Sequence, residues 1–304
     1  MDLSLCVSTF RRPELLDKLL HALGRHDFGG ATVELVLVDN DPAGSGLPVA
    51  ERHRESLPFP MVVRRVAEPN IALARNAAVE VAQGEFLLII DDDEWPEDEW
   101  ALALLETQRR YDADAVLGPV LPHYADGVPA WIREADLFAP REMTTGERVP
   151  WNRTYTSNVL IRRSALDGVA GPFDPDFGIT GGSDGMLFWD LEQRGATVVW
   201  CAEAAVSENV PVSRAQVSWL LERSYSGGQN YARCHAAHRR GWPRARARLE
   251  LLVGSLLRLP VALAMVLVTL PRDRVRAFSW LRRLVAYAGQ VTGVAGRQFG
   301  HYRF

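Results

Sequence analysis

The stretch Phe86-Leu87-Leu88-Ile89-Ile90-Asp91-Asp92-Asp93-Glu94 joins five apolar residues to four consecutive acids. A short apolar run of this kind reads as a strand buried on both faces, the kind found in parallel sheets covered by helices. The flanking sequence supplies the rest of such a sheet. Further β-type runs occur at Leu3–Val7, Val33–Val38, Met61–Val66 and Ala115–Leu117. Between the first two, Leu15, Leu16, Leu19, Leu20 and Leu23 share one helical face, with Pro13 near the start and Gly24 after the end. A second helical stretch runs from Ile71 to Gln83 and stops at Gly84. Strands alternating with helices imply βαβ units and a doubly wound α/β fold.

Beyond this half the pattern loosens. Pro119 to Pro150 is rich in Pro, Trp and Gly and reads as loop. Order returns with a strand at Asn158–Arg162, a helix at Asp184–Arg194, a strand at Thr197–Cys201 and a longer helix from Arg214 to about His238. The tract Arg239–Arg248, with Gly241-Trp242-Pro243, reads as a domain boundary.

With 47% hydrophobic and 24% charged residues, the chain has the composition of an ordinary globular protein, which excludes a disordered or fibrous class. Three widely spaced cysteines argue against a disulfide framework or a zinc site. The N-terminus enters a strand directly, without the pattern of a cleaved signal peptide. The net charge of −4 conceals an asymmetry: from Arg239 onward, 13 arginines face only Glu250 and Asp273. Within that basic end, Leu251–Leu270 is 20 residues long with Arg258 as its one charge, and arginines flank both sides. Symmetrical positive flanks and Pro260 favour a re-entrant or interfacial element over a clean span. Val275, Phe278, Leu281 and Val285 then recur at helical spacing among arginines, as in a membrane-surface helix. The alternative is a pair of soluble helices. Interleaving with an apolar run suits lipid better than a phosphate backbone, so no nucleic-acid partner is expected.

In an open parallel sheet, ligands bind beyond the carboxyl ends of the strands. Here those ends carry Ser8-Thr9-Phe10-Arg11, Asp39-Asn40-Asp41, Glu68-Pro69-Asn70 leading to Arg75-Asn76, and the acidic run from Asp91. Convergence from four strands favours a binding crevice. Four adjacent acids repel one another, and magnesium or manganese held by one or two carboxylates plus substrate phosphates would supply the missing charge. In an extended segment Asp91 and Asp93 would point the same way. Far along the chain, Asp184 in Thr180-Gly181-Gly182-Ser183-Asp184 stands at a helix start. It is either an N-cap or a general base.

Taken together, Val7-Ser8-Thr9-Phe10-Arg11-Arg12-Pro13, Val36-Leu37-Val38-Asp39-Asn40-Asp41, Asn70 with Ala74-Arg75-Asn76, Asp91-Asp92-Asp93 and Gly181-Gly182-Ser183-Asp184 resemble glycosyltransferase family 2. Gly118-Pro119-Val120, Asn158-Val159-Leu160, Glu208-Asn209-Val210-Pro211 and Trp219 with Arg223 resemble its bacterial members that build succinoglycan-type exopolysaccharides. The resemblance implies a GT-A fold, a Rossmann-like and mostly parallel sheet flanked by helices, and inversion at the anomeric carbon. It implies that Thr9, Arg11, Asp39, Arg75 and Asp91 bind the nucleotide-sugar donor, that Asp93 binds Mg or Mn, and that Asp184 is the catalytic base. Ser183 replaces the Glu of the family's usual Glu-Asp pair, which leaves open a second reading, a donor-binding or scaffold protein with impaired catalysis. Processive members carry Gln-x-x-Arg-Trp, whereas Gln216-Val217-Ser218-Trp219 lacks the Arg-Trp pair, so a single transfer is expected. The expected organisation is a nucleotide-sugar-binding half (1–118), an acceptor-binding half (119–238) and C-terminal membrane-associating helices (239–304). The expected acceptor is a saccharide or a polyprenyl-linked one, and the expected location is the cytoplasmic side of the inner membrane.

Overall fold

The computed structural model describes residues 1–169, 171–237, 239 and 241–296. The chain forms two compact units: Met1–His123 with Phe138–Gly178 and Ser183–Asn209, and Tyr124–Leu137 with Ile179–Gly182 and the chain from Val210.

The first unit is built on a seven-stranded sheet. Its strands are β1 (Leu3–Thr9), β2 (Val33–Asp39), β3 (Met61–Arg65), β4 (Phe86–Asp91), β6 (Ala115–Leu117), β8 (Asn158–Arg162) and β9 (Val198–Trp200), in the order β3-β2-β1-β4-β8-β6-β9. All pairings are parallel except those of β8, which runs antiparallel to both β4 and β6. The expected mostly parallel α/β sheet is therefore present, with one reversed strand. Strand alternation divides the core. Leu5, Leu35, Leu88 and Ile90 face one layer with α1 (Pro13–Leu23) and α4 (Trp100–Tyr111). Cys6, Val36, Leu87 and Ile89 face the other with α3 (Ile71–Val81) and α6 (Ser183–Gln193). α2 (Leu47–His53) follows β2. A smaller sheet has the order β5-β10-β7, from β5 (Glu94–Pro96), β10 (Val206–Val210) and β7 (Val120–Tyr124).

Several sequence markers prove to be scaffold. Asn70 caps α3, accepting from the N–H groups of Ala72 and Leu73, and donates to Pro175 O at 3.0 Å. Asn76 exchanges two bonds with the backbone of Phe173. Asn158 is fully buried, accepts from Trp100 Nε1 at 2.8 Å and donates to the carbonyls of Pro119 and Ala204. Gly118 lies against that same corner: a Cβ there would sit 2.0 Å from Ala204 O. Polar groups buried this deeply must be satisfied, which explains why amides stand at these points.

The Pro119–Pro150 segment is more ordered than its composition predicts. It contains β7 and, in the second unit, α5 (Ala130–Glu134). Pro and Trp mislead there because edge strands and first helical turns tolerate both.

The second unit is helical, with α7 (Val217–Ala237), α8 (Gly241–Thr269) and α9 (Arg274–Val294). The expected C-terminal end of α7 at His238 lies outside the described residues. α7 and α9 approach to backbone contact: a Cβ at Gly228 would lie 2.0 Å from Ala286 O, and one at Gly289 would lie 2.1 Å from Tyr225 O. α8 begins inside the arginine-rich tract and continues through Pro260. Its 29 residues give about 43 Å at 1.5 Å per residue, and its most apolar window is only 17% buried. Leu257 and Leu267 are 69% and 62% exposed. Among the described residues this is the one helix long and apolar enough to cross a membrane.

Candidate functional site

β4 carries its chain into a tight acidic corner. Asp91 ends the strand, Asp92 and Asp93 turn, and Glu94 opens β5. The triplet is thus not extended as its spacing suggested. The Asp91 N–H donates to the buried Glu94 carboxylate at 3.0 Å, which folds the segment back on itself. Asp92 is buried and accepts from Thr9 Oγ1 at 2.7 Å. Arg12 Nη1 reaches both Asp92 at 3.0 Å and Asp93 at 2.9 Å. The in-register pairing of Ser8 with Asp91 explains this: the residues just past β1 lie beside those just past β4.

A second cluster forms behind the turn. Arg75, 9% exposed on the buried face of α3, donates to Asp91 Oδ1 at 3.2 Å and to Asp184 Oδ1 at 2.6 Å. Gly181 and Gly182, with φ of +82° and +102°, precede Ser183, and Asp184 stands in the first turn of α6. The buried Ser183 hydroxyl lies 3.4 Å from Asp184 Oδ1. Asp184 is therefore not spent as a local helix cap; its carboxylate belongs to the cluster at the end of β4.

The electrostatics follow from the crowding. Loss of water at the crevice floor raises Asp91 above the usual carboxylate range; Arg75 opposes this, and the charges of Asp93 and Asp184 add to it. Burial also raises Glu94 well above its ordinary value, with Asp91 adding to the effect. Burial pushes Asp92 up to about 6, against the pull of Arg12. Because the folded-state value lies above the unfolded one, Asp92 favours folding at low pH, and that contribution is lost as pH rises through about 6. Wild type should therefore gain more unfolding free energy than Asp92→Asn between pH 7 and pH 4.5. Urea melts across that range check this, and parallel pH profiles for the two proteins would refute it.

The remaining candidates sit at the ends of β1 and β2. Asp39 is fully buried, and its two oxygens accept from the N–H groups of Asp41 at 2.9 Å and Gly46 at 2.7 Å, which shapes the loop into α2. Arg11, at φ +53°, is 54% exposed; its Nε donates to Asp41 at 3.2 Å and its guanidinium lies 4.7 Å from the Phe10 ring centre. Thr9, Arg75, Asp91, Asp93 and Asp184 are thus joined by contacts in one unit, whereas Asp39 and Arg11 form a neighbouring patch. Arg12 and Glu94 were missed as candidates. Only the register of β1 against β4 singles out Arg12, and no local signal separates Glu94 from its acidic neighbours.

The profile of "Glycosyl transferase family 2" matches residues 4–169, more than half of the chain. The chain belongs to glycosyltransferase family 2. It is 34% identical over 247 residues to the succinoglycan biosynthesis protein ExoM of Rhizobium meliloti (strain 1021), covering 79% of this chain and 77% of that one. It is 29% identical over 168 residues to a glucosyl-dolichyl phosphate glucuronosyltransferase of Haloferax volcanii, about half of each chain (52% and 53%). Among solved structures, the mannosyltransferase PcManGT of Pyrobaculum calidifontis, in complex with GDP-Man and Mn2+, has a TM-score of 0.65 at 18% identity and covers 95% of this chain and 86% of that one. Residues 1–349 of S. aureus TarS, in complex with UDP, have a TM-score of 0.57 at 16% identity, covering 100% and 94%. These last two establish the shared fold. The enzyme is a glycosyltransferase of the GT-A type, and its relatives act in exopolysaccharide and glycan synthesis.

This glycosyltransferase has an acidic turn suited to a divalent cation completed by substrate. Among the described residues no group of three or more His, Cys, Asp and Glu converges to hold a metal alone. Asp91 and Asp93 nevertheless lie close enough that the charge of Asp93 helps to raise Asp91. One or two carboxylates with phosphate oxygens filling the remaining positions is the arrangement magnesium accepts.

Proposed function

We propose that this family 2 glycosyltransferase moves one sugar from a UDP-sugar to a saccharide acceptor carried on a lipid, with inversion. The observation that carries the reading is the Arg75 bridge: one guanidinium joins the carboxylate ending β4 to the carboxylate opening α6. That bridge supports a donor-side acid and a base sharing one crevice.

In this reading Asp184 takes the proton of an acceptor hydroxyl as that oxygen attacks the anomeric carbon. The bond from that carbon to the diphosphate breaks, and the nucleoside diphosphate leaves with the electron pair. Attack from the opposite face inverts the configuration. Asp91 approaches the ribose; Thr9, Arg11, Asp39 and Arg75 line or shape the nucleotide side. Mg or Mn held by Asp93 supplies, when bound, charge compensation to the leaving diphosphate. The missing Arg-Trp pair after Gln216 supports single transfer over polymerisation. The exposed apolar side of α8, with arginines before and after it, supports docking on an anionic membrane surface, where a lipid-linked acceptor would be presented.

The test is nucleotide release from a panel of UDP-, GDP- and dTDP-sugars, with manganese or with EDTA, and flotation of the full chain with phosphatidylglycerol vesicles. Expected are turnover of a UDP-sugar, loss of it in EDTA and in Asp93→Asn, and co-flotation with the vesicles. Preference for another nucleotide, activity indifferent to EDTA, or recovery in the lipid-free fraction overturns the corresponding part. A wild type that binds donor yet releases nothing favours the scaffold reading, for which Ser183 in place of Glu is the observation.

A further inference from the structure

The acidic turn leads directly into the small sheet, and that sheet carries an aromatic pair that the donor chemistry does not use. Trp95 lies in the middle of β5, two positions after Asp93. Its register partner on β10 is Ser207, and the ring of His123 from β7 lies 5.1 Å from the Trp95 ring at an interplanar angle of 53°. At that distance and angle the two rings touch in a tilted contact instead of a stacked one. Trp95 is half-buried and His123 is exposed, so the pair is reachable from solvent.

The imidazole is oriented from beneath. Ser207 is fully buried and donates its hydroxyl proton to Glu97. With that proton committed, Ser207 Oγ has only lone pairs to offer His123 Nε2 at 3.0 Å. The neutral ring therefore keeps its proton on Nε2 and presents the Nδ1 lone pair. A buried serine and a carboxylate dedicated to fixing the tautomer of an exposed histidine is more than strand pairing requires.

We propose that Trp95 and His123 form a subsite for a pyranose ring of the acceptor. This rests on the transferase reading above. The indole takes the C–H face of the ring, and His123 Nδ1 accepts a hydroxyl proton of the same sugar; Ser207 and Glu97 are positioning residues that hold the imidazole. An aromatic face supplies large contact area at little entropic cost, and one fixed acceptor atom adds orientation. The short path from Asp93 to Trp95 places this sugar next to the diphosphate end of the donor site, where an acceptor has to lie.

The experiment uses the full chain, the nucleotide sugar it turns over fastest, and methyl β-D-glucopyranoside and methyl β-D-galactopyranoside as probes. Nucleoside diphosphate release is followed against the concentration of each probe. At least one glycoside should stimulate release, and His123→Ala and Trp95→Leu should raise its KM about tenfold, equivalent to about 1.4 kcal/mol. That rise should be several times larger than any change in donor KM. Trp95→Phe should recover most of the loss, and it decides the matter together with His123→Ala if Trp95→Leu fails to fold. Ser207→Ala should raise the glycoside KM by a smaller factor. Unaltered glycoside KM, or equal changes in donor and glycoside KM, overturns the subsite. Donor turnover that neither glycoside stimulates also overturns it while leaving the transferase reading intact. No turnover of any nucleotide sugar removes that reading, and the subsite with it.

Discussion

Replacing Asp184 with Asn should lower kcat for sugar transfer by roughly 10²–10⁴, the range that a positioned general base contributes. Asn has the same shape and keeps an oxygen for Arg75, which donates to Asp184 Oδ1 at 2.6 Å in wild type. It cannot accept the acceptor proton. Geometry is retained and basicity is lost, so the defect should lie in kcat more than in donor KM. Circular dichroism and thermal melting would confirm that the fold survives. Asp184→Glu should retain more activity than Asp184→Asn, limited by misplacement of the carboxylate. A loss under about fivefold in Asp184→Asn would remove this residue as the base. The neighbouring Ser183 bears on the outcome: it is buried and lies 3.4 Å from Asp184 Oδ1, so in this chain the residue before the proposed base is a small contact to it instead of a second acid.

What the sequence discloses here depends on the range of the interaction. β1, β2 and β4 are legible because alternation and apolar runs are local consequences of burial on two faces. The acidic turn is legible for the same reason, since four adjacent acids need a compensating charge wherever they lie. The antiparallel course of β8 was not legible, because Asn158–Arg162 reads the same in either direction and only its partners settle it. Arg75 shows the limit best. The family resemblance implies a donor contact for Arg75; its ion pairs with Asp91 and Asp184 are set by α3 packing against β1 and β2 and by α6 arriving from far along the chain. Arg12 is the same case, reaching Asp92 and Asp93 through strand register. The acidic triplet can be found from the sequence; that Arg12 and Arg75 are the groups that hold it cannot.

Arg75→Met should give the largest combined effect, on both stability and activity. Met fills similar volume, so the change chiefly removes charge. In wild type the guanidinium is 9% exposed, while Asp91 and Asp184 are 36% and 29% exposed. Removing one member of a fully buried pair costs about 3–5 kcal/mol; solvent at the two carboxylates reduces that here to roughly 1–3 kcal/mol. The penalty should shrink on acidification. Asp91 is already raised above its usual range by burial, and without Arg75 it rises further. A folded-state value above the unfolded one means that protonation favours folding, so lowering the pH restores stability to the variant more than to wild type. Arg75→Lys should recover only part of the loss, because one ammonium cannot reproduce the two-pronged geometry. The decisive measurement is a double-mutant cycle by urea denaturation. If Arg75 is there to hold two like charges together, adding Asp184→Asn to Arg75→Met should relieve part of the destabilisation, making the pair less damaging than the sum of its members. Strict additivity would show that the bridge carries no coupling. Transfer by Arg75→Met should fall together with stability, because Asp184 and Asp91 lose the guanidinium that bridges them.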